Sequence, residues 1–194
     1  MDETASSHNP PQSTHSAPQI IALVGFMGAG KTTVGQAIAA KLNWRFADLD
    51  DLVQARDGRT IPEIFEQSGE GIFRELEHQL LSEFVQSSDA RCTVLSLGGG
   101  AFIDNTNQRL LGENGIRTVF LDAPAEELFR RCAEPGVSRP LLRDRDRFGA
   151  LLAQRRPEYL KAALCIQTAG RDIASIVDEI VSRFGLSASS GASP

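Results

Sequence analysis

The stretch Gly25-Phe26-Met27-Gly28-Ala29-Gly30-Lys31-Thr32 follows the apolar run Ile20-Ile21-Ala22-Leu23-Val24 and opens a helical pattern. It satisfies Gly-x-x-x-x-Gly-Lys-Ser/Thr in the strand-loop-helix setting that gives this motif its meaning. The glycines allow backbone N–H groups to turn inward around a phosphate, and the positive end of a helix beginning near Lys31 adds to the attraction. Lys31 is then expected to reach the β- and γ-phosphates of a nucleotide, and the Thr32 hydroxyl to ligate Mg²⁺. A glycine-rich turn without nucleotide would have to reproduce the whole pattern in the right setting by chance. The loop does not by itself choose among a kinase, a GTPase and a motor ATPase.

Outward from the loop, β-type runs at 20–24, 45–47, 93–97, 117–121 and 164–167 alternate with longer helical patterns. This alternation predicts a parallel sheet within a three-layer α/β domain. Unbroken apolar runs such as IIALV and TVFL suit strands covered on both faces. Residues 51–88 stay helical longer than one crossover requires, with breaks at Asp57-Gly58 and Ser68-Gly69, and read as a helical subdomain laid against the sheet. Residues 134–146, EPGVSRPLLRDRD, combine proline, glycine and charge and read as a mobile lid.

The 194 residues suit one domain, with tails expected to be disordered at 1–18 and 186–194 and the folded unit at 19–185. Within it the substrate-binding helices are expected at about 50–89 and the lid at about 134–147. The chain carries 20 Lys and Arg against 25 Asp and Glu, a net charge of -5, which argues against nucleic acid as a partner. Any cationic pocket must be local, made for a small anion. Cys92, Cys132 and Cys165 form no Cys-x-x-Cys pair, which argues against a disulfide framework or structural zinc, and Cys92 and Cys165 are expected in the core. No run approaches the roughly 18 apolar residues of a membrane span. Residues 1–18 lack the apolar and basic features of a signal or transit peptide, so a cytoplasmic protein is expected.

Asp48 and Asp50 stand two apart at the end of the second strand, where extended geometry would point both side chains the same way, toward the phosphate loop. One carboxylate can hold Mg²⁺ while the other accepts the proton of an attacking hydroxyl. Alternatively, Asp50 or Asp51 only caps the next helix. Arg74 has Glu70 four residues before it, a spacing that also suits a solvated ion pair. Arg155-Arg156-Pro157-Glu158-Tyr159 could equally decorate a surface. Gly98-Gly99-Gly100 follows the strand where a phosphate-loop protein normally keeps an acidic residue for magnesium, which weakens the GTPase and motor readings and leaves room for backbone approach by a ligand.

Taken in order, GFMGAGKTTVG (25–35), FADLD (46–50), GRTIPEIFEQSGEGIFRELE (58–77), LSLGGGA (95–101), SRPLL (138–142) and the Arg155-x-Pro157-x-Tyr159 pattern resemble shikimate kinase across nearly all of residues 20–185. The resemblance implies a fold of the nucleoside-monophosphate-kinase type, with a five-stranded parallel sheet in the order 2-3-1-4-5. It also implies transfer of the ATP γ-phosphate to the 3-hydroxyl of shikimate. By the same resemblance Gly28, Ala29, Gly30, Lys31, Thr32 and Thr33 bind the nucleotide phosphates, and Thr32 and Asp48 hold Mg²⁺. Asp50 binds the shikimate hydroxyls and serves as base, while Arg74, Arg155 and the backbone of Gly98, Gly99 and Gly100 hold the substrate. Arg139 comes from the lid onto the transferring phosphoryl group and completes a catalytic set with Asp50 and Lys31. An arginine before the lid stacks on adenine, for which Arg131 and Arg130 both offer themselves. The turn at 168–172 lacks the asparagine-proline pair of the family.

A gluconate kinase would share the loop and a polyhydroxy carboxylate substrate, but not the glycine run or the Arg-x-Pro-x-Tyr pattern. A nucleoside-monophosphate kinase should show a base pocket where this chain has Arg74 and three glycines. A silent nucleotide-binding regulator should have lost one of Lys31, Asp50 or Arg139. A monomer is expected, with ATP and Mg²⁺ as cofactors, shikimate as the small-molecule partner, and neither nucleic acid nor membrane involved.

Overall fold

The computed structural model describes residues 19–87, 92–132 and 144–188. Arg139 and most of the expected lid lie outside them, as do residues 1–18 and 189–194. The strands are β1 (Ile20–Val24), β2 (Arg45–Asp48), β3 (Thr93–Ser96), β4 (Arg117–Asp122) and β5 (Leu164–Gln167). They form one parallel sheet in the order β2-β3-β1-β4-β5, as expected. The helices are α1 (Lys31–Leu42), α2 (Leu49–Asp57), α3 (Ile61–Gln86), α4 (Asn105–Glu113), α5 (Ala125–Cys132), α6 (Arg145–Tyr159) and α7 (Ile173–Phe184), with a 3₁₀ turn at Ala101–Ile103.

Successive strand side chains point to opposite faces. Ile21, Ala22, Leu23 and Val24 are all fully buried, so helices cover both faces of β1 and the domain has three layers. The edge strand β5 alternates instead, which leaves Cys165 exposed. The expectation of a core Cys165 fails because an edge strand needs covering on one side only. Cys92 is half-buried, and Cys132 is the buried thiol.

Register places Asp48 and Leu23 on either side of Ser96, and Phe120 beside Val24, so the carboxyl ends of four strands line up. Sheet order reverses around β1, and a ligand crevice forms at such a point, outside the strand carboxyl ends.

Local chemistry sets the helix ends. Asp48, Asp104, Asp144 and Asp172 each cap a helix by accepting a backbone N–H. Thr60 and Glu63 close a capping box at the start of α3. The breaks expected in the helical subdomain fall at Gly58, the left-handed C-cap of α2, and at Gly69, whose φ of 81° and ψ of 169° interrupt α3. Beyond α7 the chain stays packed as far as Leu186, which is 9% exposed. Among the described residues no helix is long and apolar enough to cross a membrane.

Candidate active site

The phosphate loop needs glycine for two separate reasons. Gly28 and Gly30 adopt φ of 78° and 89°, conformations that side chains strain. A Cβ at Gly28 would also lie 2.6 Å from the Leu128 carbonyl and 2.7 Å from Cys132 Sγ, so α5 seats directly on the loop. Lys31 Nζ donates to the carbonyls of Gly25 (3.0 Å) and Phe26 (3.3 Å). Thr32 Oγ1 donates to Asp48 Oδ2 at 3.3 Å. A hydroxyl and a carboxylate side by side are hard oxygen donors, and together they fit Mg²⁺, which takes few protein ligands alongside phosphate and water.

Beside the loop opens a cavity of about 460 Å³ bordered by Gly28, Gly30, Lys31, Thr32, Thr33, Asp48, Asp50, Arg74, the three glycines and Arg155. Sequence-predicted residues from five separate segments thus share one space. Asp50 reaches it by another route than expected. The strand ends at Asp48, whose Oδ1 accepts the Asp50 N–H at 3.1 Å, and Asp50 is the second residue of α2. The cap role therefore belongs to Asp48, and the two carboxylates meet through a helix start, not along an extended strand. Burial, and then the neighbouring Asp48 charge, pushes the Asp50 carboxyl above its ordinary value, although Lys31 and Arg74 pull it down.

Arg74 does pair with exposed Glu70 (3.0 Å), but its shorter bond, 2.7 Å, goes to Glu77 Oε2. The Glu77 side chain is 1% exposed, and its Oε1 has no hydrogen-bond partner among the described residues. Burial raises the Glu77 carboxyl despite the pull of Arg74. For Arg74, burial works against the charge but Glu77 and Glu70 outweigh it, so the guanidinium stays charged. The sequence does not single out Glu77, because Glu70 and Glu77 both stand at helical spacing from Arg74; only packing distinguishes them.

The glycine run is explained by what stands against it. A Cβ on Gly98 would lie 2.6 Å from Asp50 Oδ1 and 2.8 Å from Glu77 Oε1, and one on Gly100 would lie 2.5 Å from Arg74 Nη2. The carbonyl of Gly99 accepts from Arg155 Nη1 (3.3 Å) and from the Tyr159 hydroxyl. Tyr159 is fully buried, stacks on Phe120 with centroids 5.2 Å apart, and has its hydroxyl pushed up to about 12 by burial. Arg156 turns away to the buried Asp122 (2.7 Å). The Arg155-Arg156 pair is thus split, one toward the cavity and one toward the sheet. Ile61, Phe65 and Phe73 supply an apolar wall that charge-based reasoning overlooked.

On the other side of the loop lies a cavity of about 340 Å³ that includes Ala29, Gly30, Thr33, Arg131, Thr168 and Ile173. Arg131 donates to Thr168 Oγ1 (3.1 Å) and to its carbonyl (3.0 Å), and pairs with Glu127. Arg130 also borders this space and pairs with Glu127, but its side chain is 68% exposed. Ile173, at the start of α7, keeps 42% exposure over the same cavity.

The family model described as shikimate kinase matches residues 27–184. A shikimate kinase from Persephonella marina is 40% identical over 165 residues, covering 84% of this chain and 98% of the relative. A shikimate kinase from Acinetobacter baumannii in complex with shikimate has a TM-score of 0.77 at 34% identity, covering 86% of this chain and 93% of its own. One from Aquifex aeolicus has a TM-score of 0.75 at 35% identity, covering 86% and 96%. A gluconokinase from Sinorhizobium meliloti reaches a TM-score of 0.53 at 18% identity, covering 87% and 93%, a likeness of fold alone. A phosphate loop, two facing carboxylates and a glycine run backed by arginine thus occur together in a chain matched along most of its length, and the chain belongs to the shikimate kinase family.

Proposed function

We propose that this chain transfers the γ-phosphoryl group of ATP to the 3-hydroxyl of shikimate, giving shikimate 3-phosphate and ADP on the route to chorismate and the aromatic amino acids. The observation that carries the reading is Asp50 and Arg74 packed against a glycine run that has no side chains of its own. A small carboxylate bearing several hydroxyls matches such a surface. The forked guanidinium groups of Arg74 and Arg155 take the carboxylate, with geometry a lysine could not offer. Asp50 takes the hydroxyl proton late in a loose transition state, so it orients the nucleophile as much as it deprotonates it. Glu77 holds Arg74 in place.

Lys31 is assigned to the phosphates, and Arg139 to the charge on the transferring group. Thr32 and Asp48 are assigned to Mg²⁺, which when bound supplies charge neutralisation of the phosphates. The second cavity is assigned to the base, with Arg131 fixed by Thr168 on one side and Ile173 on the other. We assign the activity to a monomer and the reaction to the cytoplasm. Coupled measurement of ADP release with ATP and Mg²⁺ tests the reading: shikimate should support turnover and gluconate should not. Turnover with gluconate alone would overturn it.

A further inference from the structure

The run Gly58-Arg59-Thr60 has no part in the chemistry above, yet Arg59 makes four hydrogen bonds that join the end of α2 to the first part of α3. Its Nε and Nη2 grip Asp57, the last residue of α2, at Oδ1 (2.5 Å) and Oδ2 (3.0 Å). Its Nη1 reaches Gln67 Oε1 (3.1 Å) and Ser68 Oγ (3.0 Å), the two residues just before the break in α3. Residues 61–68 are therefore a half-helix bracketed by glycines. On one side is Gly58 at φ 82°; on the other is Gly69, whose φ of 81° and ψ of 169° lie in a region that is essentially glycine-only. Non-helical dihedrals at Gly69 mean that the backbone of the rest of α3 does not dictate the angle of this piece, which meets it across the break through the Phe65 and Phe73 rings, centroids 4.8 Å apart. Its start is held by the Thr60–Glu63 capping box, its buried side by Ile64, and its end by Arg59. Residues four apart share a helix face, and here they are Ile61 and Phe65, the apolar wall of the acceptor cavity.

We propose that Arg59 is a positioning residue for the acceptor: by tying Asp57 to Gln67 and Ser68 it sets where Ile61 and Phe65 stand against the substrate ring, without touching the substrate. The inference rests on the reading of this cavity as the shikimate site. All three nitrogens of a planar fork are used, so lysine, a point charge with a single nitrogen, cannot replace it.

Steady-state kinetics with both substrates varied provides the test, using the parent, Arg59→Gln, Arg59→Lys, and a Gln67→Ala/Ser68→Ala double variant that removes only the bonds on the break side. Both Arg59 variants should raise the shikimate KM by about five- to fiftyfold, the scale of a small misplacement of a positioning surface, while the ATP KM and kcat at saturation stay within about threefold. The double variant should raise the shikimate KM in the same direction and add little further when combined with Arg59→Gln. A shikimate KM unchanged in Arg59→Gln, a parallel rise in the ATP KM, or independent effects of Arg59→Gln and the double variant would each overturn the proposal. A parent that fails to turn over shikimate would instead overturn the assignment of the site, and this proposal with it.

Discussion

Asp50 is the residue proposed as the base. Burial and the adjacent Asp48 charge raise its carboxyl, and the direction of that shift has two consequences. For activity, the base must be ionised, so kcat/KM should fall as pH drops through a value above that of an ordinary aspartate, and a pH–rate profile would show that limb. Asp50→Asn should lower kcat by about 10² or more, the usual scale for a lost general base, with the ATP KM little changed. For stability, the native state binds the Asp50 proton more tightly than the unfolded chain, so this group's contribution declines as pH rises from the ordinary carboxyl value through the folded one. Asp50→Asn should therefore melt higher than the parent at neutral pH, with the gap closing in acid; equal melting at both would contradict the assigned burial cost. At Arg74 and Arg155, removal of a charged donor should weaken shikimate binding by roughly 1.5–3 kcal/mol each and leave ATP affinity alone. Titration calorimetry distinguishes this from Arg156→Ala, which strips a partner from the buried Asp122 and should lower the melting temperature while sparing shikimate.

Among the elements, the glycine loop 98–100 gives the sharpest contrast. Neither Gly98 nor Gly100 has a left-handed φ, so alanine is conformationally acceptable at both and the cost is one of space. Gly98→Ala would press on Asp50 and Glu77, and Gly100→Ala on the Arg74 guanidinium. Both variants should fold, since what must yield in each case is the end of a side chain. Gly98→Ala should lower kcat by roughly tenfold or more through a displaced base, and Gly100→Ala should raise the shikimate KM by a similar factor through a displaced Arg74. Initial-rate measurements separate the two, and identical profiles would refute the assignment of different neighbours to the two glycines. The two breaks in the acceptor region were legible because their causes are local: Gly58 ends α2 and Gly69 interrupts α3. The Asp48–Asp50 geometry was not. One residue more or less of strand changes which carboxylate caps and which faces the cavity, and that boundary depends on pairing with β3.

At the scale of the whole molecule, a chain of net charge -5 sets Lys31, Arg74 and Arg155 beside Asp48, Asp50 and Glu77 around one cavity, so anionic groups meet individually placed cations there and not a broadly basic surface. The proposal of a monomer is tested by sedimentation: a single 21.0 kDa species with activity proportional to enzyme concentration is expected, and a dimer that loses activity on dilution would contradict it. By itself the sequence determined the phosphate loop, the five strands and their parallel sense, the two breaks in the acceptor helices and most of the charged residues that line the cavity. These follow from short-range spacing, and a covalent neighbour acts the same way wherever the chain later goes. Only the tertiary structure decided that Glu77 and not Glu70 lies buried beneath Arg74, that Arg155 enters the cavity while Arg156 turns to Asp122, and that Arg131 is the arginine anchored to Thr168. Each of these choices lies between chemically equal candidates, and burial against segments distant in sequence separates them: Arg155 meets Gly99 across 56 residues and Arg131 meets Thr168 across 37. Spacing along the chain carries no information about which of two like side chains a distant segment will bury or bind, and for Glu77 that burial also raises the carboxyl.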